Sequence, residues 1–375
     1  TAVGMKKSRK AARRIAASGT KLVVTGCAGE MDPAAFEDSG AAEVISNRDK
    51  QSFARTVCEA RTNAPSEAWE PAHLARVPVK VQDGCSRFCA YCVVPFLRGE
   101  PVSRDPEDIL EEVALLRRLG AGEIILCGID LGSYRDVASG TGLEVLIRRV
   151  LEHSGDMWVR LSSIELSEVS QELLELLAEE NRLCRHLHVP LQSGDAGVLE
   201  SMGRNYDPGW FRERVMAIRS LIPDAGITTD VMVGFPTEDE GAFRRTREML
   251  LELEFSRVHV FRYSPRPKTR AFSLGDPVDE STKRRRAMEL REVARDSALR
   301  FHQAHIGRII HVLAECPMES EPGFMFGRAE CFAGVVFPAK PEVESKRVRV
   351  RVSSASSLFM RGDMAEPEAP PNWKG

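Results

Sequence analysis

The chain has 375 residues, 43% hydrophobic and 29% charged, with 28 Gly and 21 Pro. That is too long for one average domain and apolar enough for sizeable cores, and it lacks the signatures of collagen, coiled-coil and disordered chains. A net charge of −3 excludes a polybasic coat, no apolar run reaches the ~20 residues that span a bilayer, and nine cysteines, an odd number, do not make a disulfide scaffold. The composition implies a soluble cytoplasmic protein, off the membrane, that uses some of its thiols for metal or redox chemistry.

The chain opens at Thr1 in a helical pattern, Met5 to Ala17, and reads as a piece of something longer. Lys21 to Thr25 and Ala42 to Ile45 predict two strands of a small, incomplete α/β unit, and Arg61 to Arg76, with Pro65 and Pro71, a polar connector. From Val77 a beat of strand and helix sets in. Strands are predicted at Val77 to Gln82, Glu123 to Cys127, Trp158 to Leu161, His186 to Val189, Ile227 to Val233 and Arg257 to Phe261. Helices are predicted at Asp108 to Leu119, Leu143 to Glu152, Ser170 to Leu177, Trp210 to Leu221 and Glu238 to Leu253. This order implies parallel pairing with right-handed crossovers, in a closed or partly closed barrel or an open doubly wound sheet. A long helix, Ser281 to Gln303, leads out of it. Arg308 to Glu315, Phe324 to Phe337 and Lys346 to Ser353 then predict the strands of a small β-barrel. The expected domains are 1–62, 72–302 and 303–367.

Basic residues cluster at Lys6 to Arg14 and Lys283 to Arg286, each a solvated face or a binding patch. Lys346-Arg347-Val348-Arg349-Val350-Arg351-Val352 alternates strictly, so a strand puts Arg347, Arg349 and Arg351 on one face and the valines on the other.

The strongest chemical signal is Gly84-Cys85-Ser86-Arg87-Phe88-Cys89-Ala90-Tyr91-Cys92, directly after the first strand of the alternating unit. Structural zinc needs four ligands, and no second cysteine pair exists; the nearest histidines, His73 and His153, lie outside the loop. Three thiolates suit three irons of a cubane whose fourth iron stays open to a small ligand, with zinc as the competing reading. The position agrees, since parallel α/β barrels bind ligands at the carboxyl ends of their strands.

This CxxxCxxC loop, with Tyr91 in the aromatic place before the last cysteine, resembles the radical S-adenosylmethionine (SAM) superfamily. Lys80 to Cys85, Arg98-Gly99, Ser103-Arg104, His186 to Gly194, Thr229-Asp230, Val233 to Pro236 and Tyr263 to Pro267 resemble the methylthiotransferases within it. The resemblance implies a partial (β/α)6 TIM-like radical SAM barrel, preceded by an incomplete methylthiotransferase domain and followed by a TRAM barrel that binds RNA. It implies a [4Fe-4S] cluster on Cys85, Cys89 and Cys92 that chelates SAM and receives electrons from a donor such as flavodoxin or ferredoxin. Cleavage of SAM, hydrogen abstraction, sulfur insertion and methylation would follow. A second [4Fe-4S] cluster in the full-length parent would take Cys27 as one of three ligands, and the other two have no counterpart here. Cys58, between Val57 and Glu59, reads as structural. The expected substrate is N6-threonylcarbamoyladenosine beside the anticodon of tRNA, as Lys80 to Cys85 and Val258 to Phe261 resemble enzymes acting on that base, while Val94-Pro95 through Arg98-Gly99-Glu100 resembles those acting on N6-isopentenyladenosine. The alternatives are N6-isopentenyladenosine, a ribosomal-protein aspartate, or a tRNA-binding iron–sulfur protein without turnover.

Further candidates line the expected barrel mouth. Glu123 to Asp130 is a buried strand ending in Gly128 and an acid, a plain turn or, by resemblance, support for the methionine amino group of SAM. Arg160 sits in an apolar strand and needs an anion: a cofactor carboxylate, an RNA phosphate, or an internal partner such as Glu165. Gln192 and Ser193 are expected to face the mouth. Asp230 binds a ribose hydroxyl or caps the next turn. His186 and His188 share a strand side but have no nucleophile or carboxylate pair nearby in sequence, and are not assigned acid–base roles. Cys127, Cys184, Cys316 and Cys331 read as buried small hydrophobes. Lys268 stands where relatives carry Gly before Thr269.

Overall fold

The computed structural model describes residues 2–47, 49 and 74–366; Cys58, His73 and most of the polar connector lie outside them. The chain falls into two units of dense internal contact. The first takes in the N-terminal segment, Gly84–Pro101 and Ser264–Asp276.

In this first unit α1 (Ala2–Ala17), β1 (Val23–Thr25), α2 (Cys27–Met31), α3 (Pro33–Glu37) and β2 (Glu43–Ile45) follow one another. The two strands pair in parallel, Val23 opposite Glu43, over a small core of Ala12, Leu22 and Phe36. A short α4 (Val94–Arg98) in the cysteine-loop segment packs on α2. The Ala271 amide donates to the Ala90 carbonyl at 2.8 Å, tying in the segment from Ser264.

The second unit holds six parallel strands: β3 (Arg76–Lys80), then, after the hairpin pair β4 (Gln82–Asp83) and β5 (Val102–Ser103), β6 (Glu123–Cys127), β7 (Trp158–Leu161), β8 (His186–His188), β9 (Gly226–Val233) and β10 (Arg257–Arg262). They form two sheets, β3-β6-β7 and β8-β9-β10, linked by parallel bridges Val159 to Leu183 and Ser163 to His188. The strands therefore run in chain order. The helices between them are α5 (Pro106–Arg118), α6 (Leu143–Ser154), α7 (Gln171–Glu179), α8 (Ala196–Met202), α9 (Pro208–Leu221) and α10 (Glu240–Leu253). Several start on aspartates: Asp105 accepts from the Glu107 amide at 2.8 Å, Asp207 from Gly209 at 2.7 Å and Asp239 from Ala242 at 2.7 Å. Each such cap is worth about 1 kcal/mol. One strand face, with Ile124, Leu126, Val159, Leu161, Leu187, Ile227, Val231 and Val233, is buried in the core with these helices. The opposite face carries polar side chains.

Helix α11 (Glu280–Gln303) leads to a closed barrel of β11 (Ile309–Pro317), β12 (Phe324–Ala329), β13 (Gly334–Pro338), β14 (Arg347–Ala355) and β15 (Met360–Met364). The run expected as one strand, Phe324 to Phe337, breaks into β12 and β13 at a turn where Phe332 has φ 72°. The small barrel docks on the amino-terminal ends of the parallel strands. Leu313 joins Ala75, Trp158 and Cys184 in one apolar cluster, and a Cβ on Gly226 would lie 1.9 Å from the Cys331 carbonyl oxygen. The basic run at Lys283 is split: Lys283 and Arg286 are buried, Lys283 against Tyr263 and Arg286 paired with Glu238 at 2.6 Å, while Arg284 and Arg285 are exposed.

Candidate active site

In the first unit, Cys85, Cys89 and Cys92 are half-buried and none is in a disulfide. The loop enters through Gly84, whose φ of +80° and a Cβ position 2.0 Å from the Glu100 carbonyl oxygen leave room only for glycine. The Cys85 amide donates to the Gly99 carbonyl at 3.1 Å and the Cys92 amide to the Cys89 carbonyl at 2.9 Å. The Arg87 amide points at the Cys85 sulfur, 3.5 Å away, and Arg270 donates to the Phe88 carbonyl at 3.3 Å. Phe88 and Phe96, both exposed, meet edge to face at 5.6 Å, and Tyr91, between Cys89 and Cys92 in the chain, is half-buried. Three accessible sulfurs on one fixed loop fit an iron–sulfur cluster with three protein ligands. Cys27, at the start of α2, receives hydrogen bonds from Arg98 Nε at 3.2 Å and Asn47 Nδ2 at 3.8 Å. Its sulfur is thus oriented by α4, the helix that follows Cys92.

In the second unit the polar face of the strands is organised in layers. At the amino-terminal end Arg160 is 1% exposed and makes a two-pronged pair with Glu123, at 2.8 and 2.9 Å. It also donates to the carbonyls of Glu330 and Ala329, while Arg76 reaches Glu123 at 2.9 Å. Burial pushes the Glu123 carboxyl up, but the charges of Arg160 and Arg76 outweigh it and hold it below the ordinary range. Phe332 of the small barrel lies among Arg76, Arg160 and Arg328, 4.6 to 5.2 Å from its ring centre, and stacks on His186 at 4.5 Å. Burial first, and then Arg160, push the His186 ring well below its ordinary value, so it is neutral. This layer seals the small barrel against the parallel strands. Arg160 is therefore withdrawn as a cofactor ligand: its anion is Glu123, and Glu165, the internal partner considered from sequence, pairs with Arg204 instead.

Nearer the carboxyl ends, three side chains from adjacent strands converge. Asp230 Oδ1 lies 3.3 Å from His188 Nε2 and 3.1 Å from His259 Nδ1. Thr228 Oγ1 bridges His188 Nδ1 at 2.8 Å and His186 Nε2 at 3.0 Å. Burial raises the Asp230 pKa, yet the hydrogen bonds and charges of the two histidines bring it down to about 2. The sequence analysis gave His259 no role of its own within the Val258 to Phe261 run; the further signal was parity, since His188 pairs with Thr228 and His259 with Asp230, which puts the three side chains on one face. Asp230 caps no turn.

Beyond this layer Gln82, buried, accepts from the Asp130 amide at 3.0 Å, and the Gly128 amide donates to Ser162 at 3.4 Å. A Cβ on Gly128 would come within 2.9 Å of Leu131 Cα, so the turn is closed around a glycine. Gln192 holds φ 62° and continues β8 alongside β9, its amide donating to the Asp230 carbonyl at 2.8 Å. Ser193 does not face the mouth; it is buried, 3.3 Å from the Thr246 hydroxyl. Cys184 and Cys331 are buried as expected, Cys127 is half-buried, and Cys316 is exposed at the end of β11.

The alternation in β14 leaves Arg347 and Arg351 exposed and Arg349 half-exposed, with Val350 and Val352 buried. Arg347 lies over the Trp158 ring at 5.8 Å, and Arg351 donates to the Gly307 carbonyl at 3.2 Å. Arg347 and Arg349, with Lys346, Arg117 and Arg185, line a cleft of about 1010 Å³ where the small barrel meets the parallel strands.

The profile of the Radical SAM superfamily matches residues 79–250. The threonylcarbamoyladenosine tRNA methylthiotransferase MtaB of Thermotoga maritima is 39% identical over 78% of this chain and 67% of its own length. The Bacillus subtilis protein of the same name is 30% identical over 96% of this chain and 85% of its own. The tRNA-2-methylthio-N(6)-dimethylallyladenosine synthase of Syntrophobacter fumaroxidans is 34% identical over 76% of this chain and 63% of its own. Among solved structures, the radical SAM methyltransferase TsrM of Kitasatospora setae, with tryptophan and a SAM analogue, superposes with a TM-score of 0.55 at 14% identity, over 72% of this chain and 60% of that one. The strand-and-helix unit and its cysteine motif are those of the radical SAM class. Within that class, the chain belongs to the methylthiotransferase family.

Proposed function

We propose that the chain is a radical SAM methylthiotransferase that acts on N6-threonylcarbamoyladenosine next to the anticodon of tRNA. The observation that carries this reading is the loop of Cys85, Cys89 and Cys92, in a chain 39% identical to a relative of that activity. These thiols would hold a [4Fe-4S] cluster, which when bound supplies the electron that cleaves SAM. Gly84 and the Cys85 to Gly99 hydrogen bond fix the loop that carries them, and Tyr91 flanks the last ligand. Gly128, Asp130 and Gln192 supply backbone and polar groups for SAM at the carboxyl ends of β6 and β8. Cys27, oriented by Arg98 and Asn47, is the described candidate for a second cluster. The small barrel acts as a TRAM module, and Arg347, Arg349 and Arg351 provide phosphate contacts that position the tRNA.

The second reading, methylthiolation of N6-dimethylallyladenosine, is favoured by relatives of that name at 34% identity. After anaerobic iron reconstitution, the protein would be offered tRNA carrying either base, with 5′-deoxyadenosine and methylthiolated nucleoside measured by mass spectrometry. Product from the threonylcarbamoylated tRNA alone supports the proposal. Product from the dimethylallyl tRNA alone reverses it, and a cluster without 5′-deoxyadenosine would make the chain a binding module.

A further inference from the structure

We propose that His259, held by Asp230 and backed by His188, is a specificity-determining residue that reads the polar N6 substituent of the substrate adenine; this rests on the threonylcarbamoyl reading above. The three side chains come from β10, β9 and β8, on the polar face and toward the carboxyl ends, where parallel α/β barrels take their ligands. They are not equally available. Both nitrogens of His188 are engaged, by Thr228 and Asp230, and its side chain is 12% exposed. His259 spends only Nδ1 on Asp230, is 38% exposed, and its Nε2 meets no partner among the described residues. Asp230 thus orients the ring and turns the remaining nitrogen outward.

Two residues on, Phe261 shares this face of β10, is 40% exposed, and its ring centre is 6.4 Å from that of His259. Val258 and Val260, between and before them, pack on the opposite face against the core. An exposed aromatic beside a tethered imidazole is a suitable seat for an unstacked base: the ring takes the adenine face and the nitrogen takes what the adenine carries at N6. The chemistry of the seat selects the substituent. A dimethylallyl group has no polar atom, so covering His259 Nε2 and the Asp230 carboxylate with it would remove their water and return nothing. A threonylcarbamoyl group carries urea N–H donors, a hydroxyl and a carboxylate. Its urea donors suit the Asp230 carboxylate, and its hydroxyl, which can donate or accept, suits His259 Nε2.

The test measures binding of the full chain to two anticodon stem-loops that differ only in the threonylcarbamoyl group, alongside a dimethylallyl stem-loop. Binding needs no turnover. The wild type is expected to prefer the threonylcarbamoyl RNA by on the order of tenfold or more, because a site built to hydrogen-bond a substituent discriminates against its absence. His259→Phe should bring the ratio to about one, and His259→Gln should retain part of the preference. An unchanged ratio in His259→Phe overturns the proposal while leaving the threonylcarbamoyl reading intact. A wild type that prefers the dimethylallyl RNA or shows no preference overturns both. One equivalent of zinc in the purified wild type, absent from both His259 variants, would make the cluster a metal site and also overturn it.

Discussion

Replacing Arg160 with Met tests whether the charged layer under the parallel strands is structural. The substitution keeps length and apolar bulk but strands Glu123, fully buried, with Arg76 as its remaining cation. It also removes the donor to the Glu330 and Ala329 carbonyls and one of the three guanidinium groups around Phe332. Breaking a buried pair from one side costs about 3–5 kcal/mol; the Glu330 carbonyl loses its Arg160 donor as well, while the Ala329 carbonyl keeps the Phe332 amide at 2.9 Å. The carboxylate of Glu123 has a depressed folded pKa, so its contribution is complete above the unfolded value near 4.5 and is lost as pH falls through the folded one. The wild-type advantage over Arg160→Met should therefore shrink in acid. Urea unfolding followed by tryptophan fluorescence is the assay, since Trp158 is buried in the same junction with Leu313. Arg148→Met, which breaks the exposed pair with Glu172, should leave the midpoint in place. An unmoved midpoint in Arg160→Met, or retained stability with loss of SAM binding, would refute the structural assignment.

Serine at Cys85, Cys89 or Cys92 should each abolish reconstituted iron and its visible absorbance, whereas Cys316→Ser, exposed on the small barrel, should leave both intact; iron and sulfide analysis decides. Gly84→Ala should lower iron loading almost as far, because the new methyl meets the Glu100 carbonyl in a left-handed backbone; normal loading would contradict the loop geometry. Gly226→Ala should undock the small barrel, seen as faster proteolysis there and a shifted Trp158 emission; unchanged proteolysis would speak against the junction described. Glutamine at Arg347, Arg349 and Arg351 together should weaken tRNA binding and flatten the log–log salt slope by roughly 2, at about 0.7 per phosphate contact; an unchanged slope removes this face from the RNA site.

The strands and the cysteine loop were legible because each is a local pattern. Glu123 to Cys127 and Trp158 to Leu161 are short, largely apolar runs that are buried along most or all of their length, and three thiols within eight residues leave few chemistries open. Partners were not legible, because they are set by register and docking. Arg160 demanded an anion, and in the sequence Glu165 stood nearer than Glu123. Only the parallel pairing of β6 with β7 lays Glu123 within reach, and only the docked barrel brings the carbonyls of Ala329 and Glu330. Cys316 misled for a related reason. A thiol in an apolar strand reads as core, but the register of β11 shifts between Ala314 and Cys316, and Cys316 is exposed.

The same face of the parallel strands does two different things along its length, and access to water separates them. At the amino-terminal ends, Glu123, Arg160 and His186 are covered by Phe332 and its strand turn, so each charge must be answered within the protein, and a partner lost there is paid in stability. Thr228 marks the boundary, with one hydroxyl shared between the buried His186 and the more exposed His188. Past it, Asp230 and His259 keep polar atoms with no partner among the described residues, which is tolerable only where solvent or a ligand can reach them. Polar groups of similar type therefore divide into a seal and a seat by depth alone. Substitutions below Thr228 should move the unfolding midpoint more than ligand binding, and those above it should do the reverse.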